Sequence, residues 1–237
     1  MNELIKLKEI IDKSSNIVFF TGAGVSTESN IPDFRSANGL GTKTLKYPLE
    51  IMLSHSFFMK DTAAFYDFYK NNMIYLNALP NSAHLKMAKL EKAGKVKAIV
   101  TQNIDNLHYQ AGSKNVYELH GNVNRNYCMK CHKSYDVNYI VNAKGVPFCS
   151  CGGIIKPDVV LYEEALADDV IDGSLKAIMQ ADCLIVAGTS LSVYPACSLI
   201  NYFHGNYLVL INKSKTTYDK RADLVINALV GETLEAV

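Results

Sequence analysis

The chain has almost no excess charge of either sign. Its 237 residues include 24 Lys and Arg against 23 Asp and Glu, which gives a formal net charge of +1. A basic face of the kind that binds nucleic acid or an anionic membrane is therefore not expected. The sequence also lacks any apolar run close to the roughly 20 residues that a membrane-spanning helix needs. We therefore predict neither a nucleic-acid partner nor a membrane partner.

Repeats, low-complexity tracts and a secretion-signal core are also missing. Residues 1–14 mix Leu and Ile with Lys, Glu and Asp, which is typical of an amphipathic helix and not of an uninterrupted signal-peptide core. These features predict a cytoplasmic protein. Because 49% of the residues are hydrophobic, the chain can bury a substantial core, as one large domain or as a main domain with a smaller insertion.

Cysteine is scarce, and four of the six cysteines are clustered. Cys128, Cys131, Cys149 and Cys151 form the pattern C-x2-C-x17-C-x-C. In a chain without an export signal, paired cysteines at such spacing favour a structural zinc ion over disulfides. Four thiolates leave no open coordination position, so the metal would stabilise the fold and take no part in catalysis. The two other cysteines lie in apolar surroundings and are expected to be core residues.

Short apolar runs rich in β-branched residues recur along the chain, at 17–20, 98–101, 116–119, 184–187, 207–211 and 224–226. Continuous apolarity is typical of strands that are buried on both faces of a parallel sheet. Helical patterns lie between these runs, at 83–93, 168–180 and 193–204. The sequence therefore predicts an α/β fold with a Rossmann-like, doubly wound parallel sheet.

Two segments do not fit this alternation of strands and helices. Residues 36–75 are helical in pattern and rich in aromatic residues, and residues 122–156 contain the four clustered cysteines. We expect both to be insertions that together form a smaller helical and zinc-binding domain. The Rossmann-like domain would then comprise residues 1–35, 76–121 and 157–237, with a cleft where the two domains meet.

A glycine-rich turn, TGAGVST at 21–27, follows the first apolar run at once. Such a turn delivers backbone N–H groups to a phosphate, although on its own it is also consistent with purely structural glycines. Thr27 stands where a dinucleotide-binding fingerprint has its third glycine, and no acidic residue follows about 20 positions on. Both departures disfavour a hydride-transferring dehydrogenase. The motif IPDFR at 31–35 follows the turn and makes the pattern far more specific.

Polar residues are concentrated after two of the predicted strands. The motif TQNID at 101–105 follows one strand, and LHG at 119–121 ends the next. Open α/β sheets bind ligands beyond the carboxyl ends of their strands. Gln102, Asn103 and Asp105 therefore indicate a polar ligand, with loop caps and Asx-turns as the alternative. His120 is a candidate general base, because the ordinary pKa of histidine is about 6.5.

The order of these motifs resembles that of the sirtuin family, the NAD-dependent protein-lysine deacylases. The resemblance is carried by GAGVS at 22–26, IPDFRS at 31–36, TQNID at 101–105, LHG at 119–121, the four cysteines and GTSLSVYPA at 188–196. It covers residues 17–234. It implies removal of acyl groups, above all acetyl, from the lysines of proteins or peptides bound in the cleft between the domains. NAD would be consumed, and nicotinamide, free lysine and O-acyl-ADP-ribose would be released.

The resemblance also implies a set of site residues. The catalytic residues would be His120, which deprotonates a ribose hydroxyl of NAD, and Asn103, which lies near that ribose. The residues expected to contact NAD are Ala23, Thr27, Phe34, Arg35, Gln102, Ile104, Asp105, Thr189, Ser190, Asn212 and Val230. Among these, Phe34 would shield the activated ribose from water. The four cysteines would hold one structural zinc ion.

Two residues depart from the family's pattern. Asn30 replaces a glycine before IPDFR, and little effect is expected because asparagine tolerates left-handed backbone conformations. Glu163 stands where glycine is usual in KPDVVLYEE at 156–164. That segment resembles the family's substrate loop, which pairs as a strand with the bound peptide. We therefore expect Glu163 to affect peptide preference and not catalysis.

The helical insertion gives one indication of acyl specificity. Family members that remove succinyl or malonyl groups carry a Tyr-x-x-Arg pair there, and the arginine binds the acyl carboxylate. Tyr66 aligns with that tyrosine, but Tyr69 stands in place of the arginine. A buried acyl carboxylate would have no cationic partner. The hypothesis is that neutral acyl groups such as acetyl are preferred.

Two other functions are less consistent with the sequence than deacylation. Mono-ADP-ribosyl transfer uses the same cofactor with a protein nucleophile in place of the acyl oxygen, and it is disfavoured as the main activity because it does not need a base at His120. A non-enzymatic zinc-ribbon module that binds nucleic acid is disfavoured by the near-neutral charge.

Overall fold

The computed structural model describes residues 2–34, 36, 39–42 and 47–237. The strands are β1 Ile17–Thr21, β2 Val96–Thr101, β3 Val116–Glu118, β4 Gly121–Cys128, β5 Ser134–Tyr135, β6 Ile155–Val159, β7 Cys183–Ala187, β8 Tyr207–Ile211 and β9 Leu224–Ile226. The α-helices are α1 Asn2–Lys13, α2 Leu49–Met52, α3 His55–Lys60, α4 Thr62–Asn72, α5 Ser82–Lys92, α6 Leu107–Gln110, α7 Val137–Asn142, α8 Asp168–Gln180 and α9 Val230–Glu235. Short 3₁₀ helices lie at Ala23–Val25, Thr27–Ser29, Leu40–Thr42, Ala196–Tyr202 and Asp219–Arg221.

Six strands form a parallel sheet in the order β3-β2-β1-β7-β8-β9. Counted within this sheet, the order is 3-2-1-4-5-6, which is that of the Rossmann fold. Every residue of β1 and of β7 is buried, as the continuous apolar runs predicted. The α/β architecture expected from the sequence is therefore confirmed.

The two faces of this sheet are covered by different helices. Phe19 points into a cluster shared with α1, α5 and α9, whereas Val18 and Phe20 belong to the opposite cluster, shared with α8 and the helix at Ala196–Tyr202. The alternation of side chains along β1 thus divides an unbroken apolar run between two cores. Within the described part of the chain, no helix combines the length and the apolarity needed to cross a membrane.

The helix predicted at 193–204 is shorter than expected. A 3₁₀ helix covers Ala196–Tyr202. At its start, both the N–H and the hydroxyl of Ser198 donate to the carbonyl of Pro195, at 3.0 and 2.6 Å. These i to i+3 bonds favour the tighter 3₁₀ winding. The local sequence pattern did not distinguish it from an α-helix.

The remaining elements form a smaller domain around a second, antiparallel sheet with the order β5-β4-β6. One hydrophobic cluster joins residues of α2, α3 and α4 to residues of β4, β6 and α7. The two insertions expected from the sequence therefore share a core. The sheet extends beyond residues 122–156, since β4 begins at Gly121 and β6 ends at Val159. The residue boundaries of the domains stay a prediction.

A charged network fixes the junction between the two sheets. Arg125 of β4 pairs with Glu118 at the end of β3 and with Asp158 of β6, at 2.6 Å in each case. Glu118 is buried and also accepts a hydrogen bond from the side chain of Asn122. Since the chain passes from β3 to β4 through His120, this network holds the candidate base in a constrained connection.

Candidate active site and metal centre

The glycine turn after β1 lies against the turn after β7. The N–H of Gly24 donates to the carbonyl of Gly188 at 2.8 Å. A Cβ on Gly24 would lie 2.8 Å from the Cα of Gly188, so a side chain at Gly24 would prevent this approach. β1 and β7 are the neighbours at which the strand order reverses, and open α/β sheets bind ligands in the crevice at that point. The turn therefore lies where this class of fold binds its ligand.

Three side chains form a hydrogen-bonded cluster beside the glycine turn. Ser26 donates its hydroxyl hydrogen to Asp105 at 2.6 Å. The side-chain amide of Asn103 lies 3.1 Å from the Ser26 oxygen and 3.1 Å from the carbonyl of Gly22. Burial raises the pKa of Asp105, and the bond from Ser26 opposes that rise. Ser26 was not selected as a site residue from the sequence, although its place in the GAGVS motif was a usable signal.

Gln102 connects this region to the turn after β7. Its side-chain amide donates to the hydroxyl of Thr189 at 3.1 Å. The predicted Ser190 follows and is exposed, with its hydroxyl 2.8 Å from that of Ser192. Asn212 follows β8, and the last residue of that strand, Ile211, accepts a hydrogen bond from the N–H of Gly188. The structure thus brings together predicted residues that lie far apart in the sequence.

A backbone contact selects one tautomer of His120. Its Nδ1 lies 2.9 Å from the backbone carbonyl of Gln102, which can only accept, so in the neutral ring Nδ1 carries the hydrogen and Nε2 keeps its lone pair. Burial lowers the pKa of His120, and the bond to Gln102 opposes this in part. A neutral imidazole with one free basic nitrogen is what a general base requires.

The residue after His120 must be glycine. Gly121 has φ +74°, and a Cβ there would lie 1.7 Å from the carbonyl oxygen of Asp158. This close approach lets the chain after β6 pair with the histidine, since the N–H of Val160 donates to the carbonyl of His120 at 3.0 Å. The motif LHG therefore positions the imidazole and joins the two sheets at the same point.

The other predicted NAD contacts occupy varied surroundings. Thr27 donates its hydroxyl hydrogen to the carbonyl of Gly24 at 2.9 Å, and Ala23 is half-buried in the same turn. Phe34 and Ile104 are partly buried against the core of the smaller domain. Val230 is 2% exposed and belongs to the core cluster that contains Val25. Arg35 lies outside the described residues.

Two further histidines lie buried behind the glycine turn. His108 contacts the hydroxyl of Thr21 at 3.1 Å, and His84 completes a capping box with Asn81 at the start of α5. Their rings are 4.9 Å apart. Burial lowers the pKa of His84 to about 4 and that of His108 to about 3. Both are therefore neutral near pH 7 and have structural roles.

The four clustered cysteines converge as their spacing predicted. All four Sγ atoms lie within 4.8 Å of one another, and three of the separations are 3.4 to 3.6 Å. A tetrahedral zinc ion with Zn–S bonds of about 2.3 Å separates its sulfur ligands by about 3.8 Å. The donor set and its geometry therefore fit a structural zinc ion. The two other cysteines are fully buried, as expected of core residues.

The two tyrosines on which the predicted acyl preference depends lie in α4. Tyr66 is 1% exposed and Tyr69 is fully buried. The hydroxyl of Tyr66 donates to the carbonyl of Ile155, and Tyr69 stacks on Phe65 with ring centroids 5.5 Å apart. The next residue, Lys70, donates to backbone carbonyls at 2.6 and 2.7 Å. Its charge is therefore held by the backbone and does not replace the missing arginine.

The strand order, the glycine turn at its reversal and the four-thiolate cluster define a Rossmann-like protein with an added zinc-binding module. The family model described as Sir2 family matches residues 22–195. A protein of Clostridium acetobutylicum named NAD-dependent protein deacetylase is 60% identical over 241 residues, which cover 100% of this chain and 98% of that protein. The chain belongs to the Sir2 family, and the resemblance stated from its motifs is confirmed.

Solved Sir2 structures have the same fold. One, with a deacetylated p53 peptide and 3'-O-acetyl ADP ribose, is 38% identical, has a TM-score of 0.91, and aligns over 99% of this chain and 97% of its own. Another, Sir2Tm bound to a propionylated peptide, is 37% identical with a TM-score of 0.88, over 98% of this chain and 96% of its own. The similarity therefore extends over both domains.

Proposed function

We propose that this chain is an NAD-dependent protein-lysine deacetylase. It consumes NAD and one water molecule, removes acetyl and other neutral acyl groups from lysine side chains, and releases nicotinamide, free lysine and O-acyl-ADP-ribose. The name of the 60% identical relative supports this activity, as do the peptide and acetyl-ADP-ribose in a similar Sir2 structure. The observation that carries the proposal is the contact of His120 Nδ1 with the carbonyl of Gln102, which leaves Nε2 available as a base.

NAD binds in the crevice between the turns that follow β1 and β7. When bound, it supplies an electrophilic ribose carbon to which the acyl oxygen bonds as nicotinamide leaves. The glycine turn, with Ala23 and Thr27, faces the phosphates, and Phe34 covers the reacting ribose. Arg35 stays a predicted NAD contact. The adenosine half contacts Thr189, Ser190, Asn212 and Val230. The close contact between Gly24 and Gly188 supports this arrangement, because it brings the two turns together.

The nicotinamide half lies against the segment 102–105. Asp105 and Ile104 hold the carboxamide, and Gln102 also contacts the cofactor. The amide hydrogens of Asn103 are directed to Gly22 and Ser26, which leaves its carbonyl oxygen for the nicotinamide ribose. The bond from Ser26 to Asp105 fixes both side chains before the cofactor arrives, and such preorganisation favours catalysis.

His120 accepts a proton from a ribose hydroxyl at Nε2. Since burial lowers its pKa, the imidazole is neutral and basic near pH 7. The rate should therefore fall as the pH drops through a pKa below 6.5. An acidic limb centred above pH 6.5 in the profile of kcat/KM would contradict this assignment.

The four cysteines hold one zinc ion that is structural. With all four positions occupied by thiolates, the metal supplies no Lewis acidity to the substrate. It joins the segments that carry the two cysteine pairs, and thereby completes the smaller domain.

The substrates are acyl-lysine proteins bound in the cleft between the domains, in the cytoplasm. A neutral acyl group is preferred because α4 offers the neutral Tyr69 where an arginine would be needed for an acyl carboxylate. The propionylated peptide in a similar Sir2 structure is consistent with a neutral acyl chain. A succinyl-lysine peptide turned over as fast as its acetyl counterpart would contradict this preference.

The test is a paired assay of an acetyl-lysine peptide with and without NAD. Wild type should release deacetylated peptide and O-acetyl-ADP-ribose only with NAD. His120→Ala should be about 10²- to 10⁴-fold slower, which is the usual effect of removing a general base. His204→Ala, at an exposed histidine, is the matched control and should retain activity. Label from NAD that stays on protein, without free lysine, would favour mono-ADP-ribosyl transfer.

A further inference from the structure

A cavity of about 540 Å³ opens on the smaller domain, between α2, α3 and the segment after β6. Aromatic rings form part of its lining. Those of Tyr47 and Phe57 have centroids 5.6 Å apart, and Tyr162 beside them is 39% exposed. Planar cations bind favourably over such rings. The lining therefore suits a cationic group with an apolar stem.

Acidic residues outnumber basic ones among the described residues that line this cavity. Glu50, Asp61 and Glu163 are the acidic residues of that part of the lining, and Lys60 is its basic residue. Glu163 accepts hydrogen bonds from the N–H and the hydroxyl of Ser56, the first at 2.8 Å. These bonds lower the pKa of Glu163, so its charge is present at neutral pH. A cationic occupant would complement the cavity, and an anionic one would be repelled.

Glu163 reaches this position through an unusual backbone conformation. Its φ is +76°, in the left-handed region that disfavours residues with a Cβ. The two bonds from Ser56 hold the carboxylate at the cavity and offset this unfavourable conformation. A glycine here, as is usual in the family's loop, would leave the cavity without this carboxylate.

The cavity lies next to the candidate active site along a short stretch of chain. Tyr162 pairs with the residues before α3, donating to the carbonyl of Leu53 and accepting from the N–H of His55, both at 3.0 Å. Two residues earlier, Val160 donates to the carbonyl of His120. Extended residues advance about 3.3 Å each, so these two pairings are about 7 Å apart along the chain. A few residues of an extended peptide span that distance.

We propose that this cavity binds an arginine side chain of the substrate protein, within about four residues of the acyl-lysine. The inference rests on the proposed deacetylase function and adds a substrate class to it. Arginine fits better than lysine, because its planar guanidinium stacks on aromatic rings and can also donate two parallel hydrogen bonds to one carboxylate. Glu163 and Glu50 are thus specificity residues that act on the flanking sequence, away from the reacting atoms.

The test compares acetyl-lysine peptides that differ only in arginine or citrulline, its uncharged isostere, at each of the four positions on either side. At one position or more, arginine should raise kcat/KM about five- to tenfold over citrulline. Glu163→Gln and Glu50→Gln should each reduce that ratio toward one. Glu9→Gln, which removes an exposed carboxylate of α1, is the matched control and should keep the wild-type ratio.

A ratio near one at every position in wild type would overturn the inference, as would a ratio that neither cavity variant changes. Calorimetric binding of the same peptide pairs shows whether the inference about arginine has failed or only the proposed deacetylase function. If no peptide is deacetylated, the proposed function fails, and binding still decides the inference. Tighter binding of the arginine peptide, lost in both cavity variants, supports it, whereas equal binding of both peptides overturns it.

Discussion

The parallel sheet and the smaller domain are stabilised in different ways. The sheet buries mainly aliphatic side chains on both of its faces, between strands that are paired along their length. The smaller domain instead has one cluster rich in aromatic rings, built from two segments that are far apart in the sequence. It also contains the four converging thiolates. We therefore expect the smaller domain to depend on a bound zinc ion, and the parallel sheet to be stable without one.

Removal of the zinc ion should give the largest difference in stability between the two regions. Structural zinc contributes an apparent binding free energy of about 10–16 kcal/mol in zinc-finger peptides. After chelation, or in Cys149→Ser, amide hydrogen exchange should speed up throughout β4, β5 and β6 while β1 and β7 keep their protection. Cys197→Ala, a buried cysteine outside the cluster, should keep its metal. Equal loss of protection in both regions would show that they unfold as one unit.

Truncation of a buried phenylalanine in each region should give the next largest difference in stability. Phe58 and Phe19 are both fully buried, one in each region. Phe58 meets the ring of Phe65 edge-on at 4.9 Å. Truncation to alanine should cost about 3–5 kcal/mol at either site. Denaturant unfolding followed by regional hydrogen exchange should show Phe58→Ala affecting the smaller domain and Phe19→Ala the sheet. If Phe58→Ala destabilises β1 as much as β4, the two regions unfold as one unit and the prediction is wrong.

Acid should destabilise the sheet region through its two buried histidines. In the folded protein the pKa of His84 is about 4 and that of His108 about 3, below the value of about 6.5 in the unfolded chain. The unfolded state therefore takes up protons first as the pH falls below 6.5. At pH 5 each histidine should cost about 2 kcal/mol of stability.

The measurement is thermal unfolding between pH 7 and pH 4, in wild type and in His84→Gln. The variant should show a shallower loss of stability across this range, because it has one buried histidine fewer. A wild-type unfolding temperature that does not change between pH 7 and pH 5 would contradict the prediction.

Removing a helix cap should give the smallest difference in unfolding free energy between the two regions. Ser54 caps α3 in the smaller domain by accepting from the N–H of Phe57 at 3.1 Å, so Ser54→Ala should cost about 1 kcal/mol. Asn81 caps α5 and also donates to the carbonyl of Val25 at 2.8 Å. Asn81→Ala should therefore cost more, about 2 kcal/mol, and should weaken NAD binding. Equal unfolding free energies for the two variants would show that the bond from Asn81 to Val25 adds nothing to stability.

Some features followed from local sequence patterns alone. Continuous apolar runs predicted all six strands of the parallel sheet, because burial on both faces leaves no alternation. The spacing of the cysteines predicted their convergence. Asn30 has φ +61°, as its tolerance of left-handed conformations suggested. A helix was predicted at 193–204, but its shorter extent and its 3₁₀ winding at Ala196–Tyr202 did not follow from the local pattern.

Short-range patterns of polarity and spacing were thus enough to predict the α/β class, the family and the chemical types of residue at the candidate site. Which side chains contact one another depends on the tertiary structure. Three contacts illustrate this: Ser26 with Asp105, His120 with Gln102, and Ser56 with Glu163. In each, the two residues are at least 18 positions apart in the sequence. Such contacts depend on how strands and loops pack in three dimensions, and no local pattern encodes that geometry.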